Sequence, residues 1–169
     1  HKWYFIQCSP SDPAAREMTF DTKLMGELIR FVSSHEVGHT LRLRHNFLAS
    51  AIYNPENLRD AKFLKEYGHA TSIMDYARFN YVAQPEDKGV TLTPPYLGLY
   101  DYYLVKYAYC PILEAKTMKE EIPVLESWVD EKAGDPIYRY GRQQVAHRYD
   151  PSAIEEDLGD DPMKAAQYG

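Results

Sequence analysis

The sequence feature that most constrains the fold is a segment with three histidines, HEVGHTLRLRH at residues 35–45. His35 and His39 are four residues apart, so their side chains share one face if this segment is helical. His45 follows six residues after His39 and can return to that face only if the helix ends near Leu43. The segment therefore requires a helix with a sharp end, followed by a bend of the chain.

A long helix is predicted to carry this segment. Residues 22–43 contain no proline, and Asp21 precedes them with a side chain suited to cap a helix N-terminus. Apolar residues recur at three- and four-residue steps and lead into the histidines; they are Leu24, Met25, Leu28, Ile29 and Val32. This spacing predicts an amphipathic helix over about 22–43 with one buried stripe.

The three histidines have the composition of a zinc site. Two neutral imidazoles one helical turn apart can each bind Zn²⁺ at about 2.0–2.1 Å, and His45 would be the third ligand. Three protein ligands leave a fourth position for water, as in catalytic zinc sites. Glu36, next to His35, is placed to act on that water as a general base. The alternative for a bare HExxH pair is a solvated helix face, and the third histidine favours the metal site.

The remaining elements are predicted to be mostly helical. Lys2 to Cys8 is aromatic and β-branched enough for a short strand. The predicted helices are 57–67, which Gly68 ends, 94–109, which Pro94-Pro95 opens and Pro111 ends, and 116–132, which Pro123 interrupts. The expected fold class is therefore α+β, predominantly helical with little sheet.

Length and composition bound the kind of protein. The 169 residues are 44% hydrophobic, which suits a single domain or fragment with its own core. We divide it into a zinc-binding core over 1–110 and a helical and irregular C-terminal extension over 111–169.

The formal net charge of -6 argues against nucleic acid as the main partner. The apolar runs are far shorter than the roughly 20 residues that span a membrane. Cys8 and Cys110 could form one disulfide or remain unrelated thiols.

Two motifs resemble those of a known family. Residues 35–45 resemble the metzincin signature HExxHxxGxxH, and SIMDY at residues 72–76 resembles the Met-turn that accompanies it. The segments HEVGHT, LRHNF and SIMDYARFNYVAQP are similar to a bacterial family of large predicted secreted zinc-dependent metalloproteases, the Met-zincin family. The similarity runs from about Gln7 into the tail DPSAIEEDLGDDPMKAAQYG, so it covers most of the chain.

The resemblance implies a zinc-dependent endopeptidase that acts on a peptide or protein. Glu36 would be the catalytic base, and Met74 would form an apolar floor beneath the metal without ligating it. Tyr76 stands where some metzincins carry a tyrosine that stabilises the oxyanion. The implied location is extracytoplasmic, meaning periplasmic, cell-surface or secreted. The implied ligands of Zn²⁺ are His35, His39 and His45.

The sequence departs from the metzincin pattern in two ways, and each departure leads to an expectation about the structure. Arg42 stands where metzincins have a glycine that permits a left-handed turn, and a non-glycine residue there costs roughly 1 kcal/mol. Either Arg42 tolerates this strain or the turn is made differently. Metzincins also place a sheet before the active-site helix, whereas only about 20 residues precede Asp21. We therefore expect a piece of a larger protease, partnered by the remainder of its own polypeptide, with an incomplete cleft.

Several alternatives stay open. The chain could be a non-catalytic zinc-binding or interaction module of a large secreted protein. Glu56 competes as third ligand, because gluzincins use a downstream glutamate, but His45 is favoured. His69 and His147 lack ligand spacing, so surface or capping roles are expected. One predicted helix is surrounded by tyrosines that could form a platform for a sugar or peptide, although packing is favoured; they are Tyr96, Tyr100, Tyr102, Tyr103, Tyr107 and Tyr109.

Overall fold

The computed structural model describes residues 2–169, so His1, the first residue of the predicted core, lies outside the described residues. No strand is present among residues 2–169, which confirms a predominantly helical fold with little sheet. Short 3₁₀ helices cover Pro13–Arg16, Asn57–Arg59 and Pro136–Tyr138. The α-helices are α1 (Lys2–Cys8), α2 (Thr22–Thr40), α3 (Ala61–Tyr67), α4 (Leu99–Tyr109), α5 (Met118–Lys132) and α6 (Pro162–Tyr168).

The predicted strand at Lys2–Cys8 is wrong, because this segment is helix α1. Tyr4 and Cys8 are four residues apart, both are buried, and both pack in a cluster that includes Leu24 of α2. The Tyr4 hydroxyl also donates a hydrogen bond to the Asp12 carboxylate. Burial at a four-residue spacing suits a helix and not a strand, whatever the aromatic content of the segment.

Helix α2 begins where the sequence predicts. The Asp21 carboxylate accepts a hydrogen bond from the Leu24 backbone N–H at 2.8 Å, so Asp21 is the N-cap. The helix ends at Thr40, before the predicted end at Leu43. The difference arises because the chain turns at this point and carries His45 back to the helix.

The single buried stripe predicted along α2 is present, but its members differ from the predicted ones. Buried or half-buried residues recur at three- and four-residue steps along the helix: Leu24, Leu28, Phe31, His35 and Gly38. Three predicted members are instead 41% to 58% exposed: Met25, Ile29 and Val32. The described part of the chain therefore packs against one face of α2, through a cluster around Tyr4 near its start and through the histidines near its end.

Three later helices differ in detail from the predictions. The predicted helix over 57–67 is a 3₁₀ turn followed by α3, which Gly68 ends as expected. Helix α4 begins at Leu99 instead of Pro94. Helix α5 runs through Pro123 without interruption, and it has no buried residue. Within residues 2–169, none of the helices combines the length and the apolarity needed to cross a membrane.

The hydrophobic clusters explain how the end of α2 is held. Leu43, Ile73 and Met74 form one cluster, and the partly buried Phe31 and Leu104 pack against it. Another cluster brings Phe47 and Leu48 together with Ala153. The largest cluster joins the middle of the chain to α6 and the segment before it. The division of the chain at residue 110 stays a prediction.

Some residues singled out by the sequence lie away from the histidine segment. Cys8 is buried and Cys110 is exposed, and both are free thiols. The surface role expected for His69 is wrong, because this side chain is buried and its Nε2 lies 3.1 Å from the Ala77 carbonyl oxygen. Burial lowers the pKa of His69 to about 4, so the side chain is neutral in the folded protein.

Candidate metal centre

The three histidines of the sequence motif converge in the structure. The Nε2 atom of His45 lies 3.2 Å from Nε2 of His35 and 3.1 Å from Nε2 of His39. Within residues 2–169, these three side chains are the group of histidine, cysteine or acidic residues found close enough to hold a metal ion. The sequence predicted this grouping from residue spacing alone.

The turn that returns His45 to the helix is centred on Arg42. Arg42 adopts a left-handed backbone conformation with φ of 62°. Its N–H donates to the His39 carbonyl at 2.9 Å, and the Leu43 N–H donates to the Gly38 carbonyl at 3.1 Å. This pair of hydrogen bonds is the Schellman arrangement, which normally places glycine at the left-handed position. The question left open by the sequence is therefore answered, because Arg42 makes the turn itself and accepts the strain.

The contacts made by the Nδ1 atoms of the three histidines indicate that the Nε2 atoms face the shared centre. The Nδ1 atoms of His35 and His39 lie 2.7 Å and 3.0 Å from the carbonyl oxygens of Ile73 and Leu43. The Nδ1 atom of His45 lies 3.0 Å from Oε1 of Gln143. Because an oxygen acceptor at Nδ1 favours the tautomer with its proton there, each Nε2 presents a lone pair to the centre.

The donor set fits a zinc ion. Two nitrogens that bind one Zn²⁺ tetrahedrally at 2.0–2.1 Å are about 3.3 Å apart, close to the 3.1 Å and 3.2 Å found here. Burial lowers the pKa of His35, and the charges of the other two histidines act in the same direction. The hydrogen bond to Ile73 and the charge of Glu36 oppose this shift. A lowered pKa keeps His35 in the neutral form that binds metals.

Met74 lies directly beneath the histidine helix. Its side chain is completely buried, and a Cβ atom added at Gly38 would lie only 2.3 Å from the Met74 Sδ. Gly38 is therefore the residue that lets the 72–76 turn approach α2. The same turn supplies the Ile73 carbonyl to His35, and the Met74 carbonyl accepts the Asn46 N–H at 3.1 Å.

Comparison with known protein families agrees with this geometry. The Met-zincin family model matches residues 17–169, which include the whole site. The chain belongs to the Met-zincin family. Comparison with curated proteins and with solved structures gives no match.

The other predicted site residues of this Met-zincin lie as follows. The Tyr76 ring packs beside the histidines, with centroids 5.4 Å from His35 and 4.7 Å from His45. Glu36 is exposed on the helical turn that carries His35. Glu56, the competing ligand, lies elsewhere, because it pairs with Lys164 at 2.9 Å.

Asp101 is a site residue that the sequence analysis did not identify. Its buried carboxylate accepts hydrogen bonds from Ser72 Oγ at 2.6 Å, from Ile73 N–H at 2.7 Å and from Gly98 N–H at 2.8 Å. Burial raises its pKa, and these three hydrogen bonds oppose the rise. Asp101 thus fastens the start of α4 to the 72–76 turn of the Met-zincin. The spacing of Gly98 and Asp101, as N-cap and third helical residue, was the signal available in the sequence.

Gln143 is the second site residue missed, and a loop docked against the third histidine positions it. Asn46 Nδ2 donates to the Arg139 carbonyl at 3.1 Å, while Asn46 Oδ1 accepts the Gly141 N–H at 2.9 Å. Phe47 N–H donates to the Gly141 carbonyl at 2.7 Å. These contacts bring together segments almost 100 residues apart in the sequence. No local pattern in the sequence indicates them.

A cavity of about 320 Å³ lies beside the histidine cluster. Its lining includes the ligand candidates His39 and His45 together with Leu43 and Gln143, which contact the Nδ1 atoms of these two histidines. A molecule in this cavity would therefore contact His39 and His45. We call it the histidine cavity.

Proposed function

We propose that this chain is the active-site region of a zinc-dependent endopeptidase. The observation that carries the proposal is the convergence of three Nε2 lone pairs, each oriented by an oxygen at Nδ1. When bound there, Zn²⁺ would polarise the scissile carbonyl and lower the pKa of its water towards neutrality. Membership of the Met-zincin family supports zinc as the metal and a peptide or protein as the substrate.

Glu36 is proposed as the general base. It follows His35 on α2, is exposed, and is near enough for its charge to raise the pKa of His35. From there its carboxylate would contact a water molecule at the histidine cluster without being a ligand itself. In this role Glu36 takes a proton from the attacking water and passes it to the leaving amine. The carboxylate returns to its ionised form when the amine departs.

Tyr76 and Met74 are proposed to act from the 72–76 turn. The Tyr76 ring is packed beside His35 and His45, so its hydroxyl is available to donate a hydrogen bond to the substrate carbonyl oxygen as negative charge develops. The buried Met74 would support the site from below through its contact with Gly38. An extracytoplasmic location is part of this proposal and rests on the family alone.

The decisive experiment combines metal content with substitution of the proposed base. We expect the purified chain to bind one zinc ion and a His45→Ala variant to lose it, as measured by mass spectrometry of bound metals and by titration calorimetry. In the full-length gene product, we expect Glu36→Gln to retain zinc and to lose peptide cleavage by about 100-fold or more. Equal cleavage by this variant and the unmodified full-length protein would contradict the mechanism. Zinc binding with no cleavage by the unmodified full-length protein would favour the non-catalytic zinc module.

A further inference from the structure

A second, larger cavity adjoins the histidine cavity. Its volume is about 930 Å³, and it lies between the end of α2 and helix α4. The two cavities share four lining residues: Leu43, Arg44, Tyr140 and Arg142. A peptide bound at the histidine cluster could therefore extend a side chain into the larger space. We call this space the arginine cavity.

The arginine cavity is positively charged within an acidic chain. Three arginines line it, namely Arg42, Arg44 and Arg142, and none of its lining residues is acidic. The chain as a whole has a formal net charge of -6. Three cationic side chains around one space, without a nearby carboxylate, create a local potential that attracts an anion.

The three arginines of the cavity have no acidic partner in the described part of the chain. Arg59 pairs with Asp87 at 2.7 Å, and Arg148 lies 3.8 Å from Glu155. In contrast, Arg42, Arg44 and Arg142 form no ion pair within residues 2–169. Their guanidinium groups remain available to a ligand.

The backbone at Arg42 gives independent support. Its φ of 62° is a conformation that glycine adopts freely and that strains an arginine. Strained residues are often functional, because the surrounding structure must hold them in place. Here the strained residue is part of the wall of the cavity.

Tyrosines complete the wall opposite the turn. Tyr100, Tyr107 and Tyr109 line the cavity from α4, and the Tyr109 hydroxyl donates to the Leu41 carbonyl at 2.7 Å, which connects that wall to the end of α2. Tyrosine rings suit the aliphatic part of a side chain, while arginines suit its carboxylate.

Resting on the proposed peptidase function, we propose that the arginine cavity binds an acidic side chain of the substrate, glutamate or aspartate, near the scissile bond. The shape and charge of a carboxylate match the planar guanidinium group, which can donate two parallel hydrogen bonds. Arg42, Arg44 and Arg142 are therefore specificity residues, whereas the proposed chemistry belongs to Glu36 and the histidine cluster.

Binding and cleavage of matched peptides test this assignment. Short fluorescent peptides with blocked ends carry either glutamate or glutamine at one position, which is moved along the sequence in turn. Binding is measured by anisotropy at low salt with the metal-free and the zinc-loaded chain, and cleavage sites are mapped by mass spectrometry. A glutamine peptide with a free C-terminal carboxylate shows whether a chain end, and not a side chain, is the ligand.

At the best position, we expect the glutamate peptide to bind about tenfold more tightly than the glutamine peptide, with or without zinc. We expect Arg44→Gln with Arg142→Gln to abolish this preference, and the corresponding lysine pair to retain part of it. Arg16→Gln with Arg148→Gln makes the same charge change outside the cavity and should have no effect. Arg42→Gly should weaken the preference without lowering the melting temperature, a combination that a purely structural role for Arg42 would not produce.

Equal binding of the glutamate and glutamine peptides would overturn the inference, as would a preference that survives the double glutamine substitution. An equal gain from the free C-terminal carboxylate would overturn the assignment to a side chain. Failure of the two proposals is distinguishable. Cleavage without acidic preference excludes the arginine cavity as a specificity site and leaves the peptidase. Arginine-dependent acidic binding without cleavage by the full-length gene product excludes the peptidase and leaves the acidic site.

Discussion

The two ends of helix α2 have opposite environments. At the N-terminal end, Met25 and Ile29 are apolar yet exposed, and a Cβ atom added at Gly26 would meet nothing within 4 Å. At the C-terminal end, His35 is buried, and the same addition at Gly38 would collide with Met74. The N-terminal end packs through Leu24 and Leu28 only among its apolar residues, and we call it the free end. We call the closely packed C-terminal end the anchored end.

The difference shows where the described chain concentrates its packing. The anchored end carries the three histidines proposed as metal ligands, and the 72–76 turn, Asp101 and Gln143 all support it. Metal ligands must be held within a fraction of an ångström of their productive positions, which requires such surroundings. We therefore expect substitutions at the anchored end to lower both stability and metal affinity, and those at the exposed or half-buried positions of the free end to lower stability less and to leave metal affinity unchanged.

The largest effect is expected at Asp101. Asp101→Ala leaves the three donors on the 72–76 turn and α4 without their shared acceptor, and the expected loss of unfolding free energy is about 3–5 kcal/mol. Urea denaturation measures it. As the free-end counterpart, Glu27→Ala removes the acceptor of one hydrogen bond, from Thr93 at 3.1 Å, and should cost less than about 1.5 kcal/mol. Equal losses would remove the distinction between the two ends.

A pH-dependent effect is expected at Asp75. Burial raises the pKa of this carboxyl to about 7, and the charge of Asp157 acts in the same direction. Between about pH 4 and pH 7 the Asp75 carboxyl is protonated in the folded protein and ionised in the unfolded chain. Protonation of Asp75 therefore stabilises the folded protein at low pH, and this stabilisation is lost as the pH rises towards 7. His35 and His69 act oppositely, because burial lowers the pKa of each.

The Asp75 contribution can be isolated with an asparagine variant. The free energy of unfolding of Asp75→Asn minus that of the unmodified chain should increase by an amount on the order of 2–4 kcal/mol from pH 4 to pH 8. Thermal melts of the metal-free proteins across this range give the difference. Asp130→Asn, on the exposed helix α5, is the control and should show no such trend. A pH-independent difference for Asp75→Asn would exclude a raised pKa.

The two glycines of α2 give the most closely matched pair. Gly38→Ala forces the Met74 sulfur to move and should cost about 1–3 kcal/mol, with weaker zinc binding. Gly26→Ala faces open space in a helix interior and should stabilise the chain by about 0.5–1 kcal/mol. Chemical denaturation with and without zinc compares them. Destabilisation of similar size by both variants would contradict the contrast between the ends.

A smaller effect on metal binding is expected at Gln143. Gln143→Leu removes the oxygen beside His45 Nδ1, so the ring loses its fixed tautomer and orientation. Zinc affinity should fall about 10- to 100-fold, as measured by competition with a chromogenic chelator. Gln167→Leu on the exposed side of α6 is the matched control and should leave affinity unchanged. Unchanged affinity in Gln143→Leu would show that the third histidine needs no support from the loop.

The features that the sequence could predict depend on residues that are close together in the chain. The cap at Asp21 and the grouping of the three histidines depend on neighbouring residues, so spacing was sufficient. The prediction of a strand at Lys2–Cys8 was wrong, because composition alone does not show that the buried residues, Tyr4 and Cys8, are four positions apart. Asp101 and Gln143 contact partners 28 and 98 residues away, and such pairs depend on tertiary packing that one sequence does not display.

The central claim is that His35, His39 and His45 together hold zinc at the anchored end of α2. Anomalous scattering at the zinc absorption edge, measured on crystals of the zinc-loaded chain, tests it most directly. The account predicts one strong peak within bonding distance, about 2.0–2.1 Å, of all three Nε2 atoms. A fully occupied zinc peak bound elsewhere, or bound by fewer than these three histidines, would contradict it.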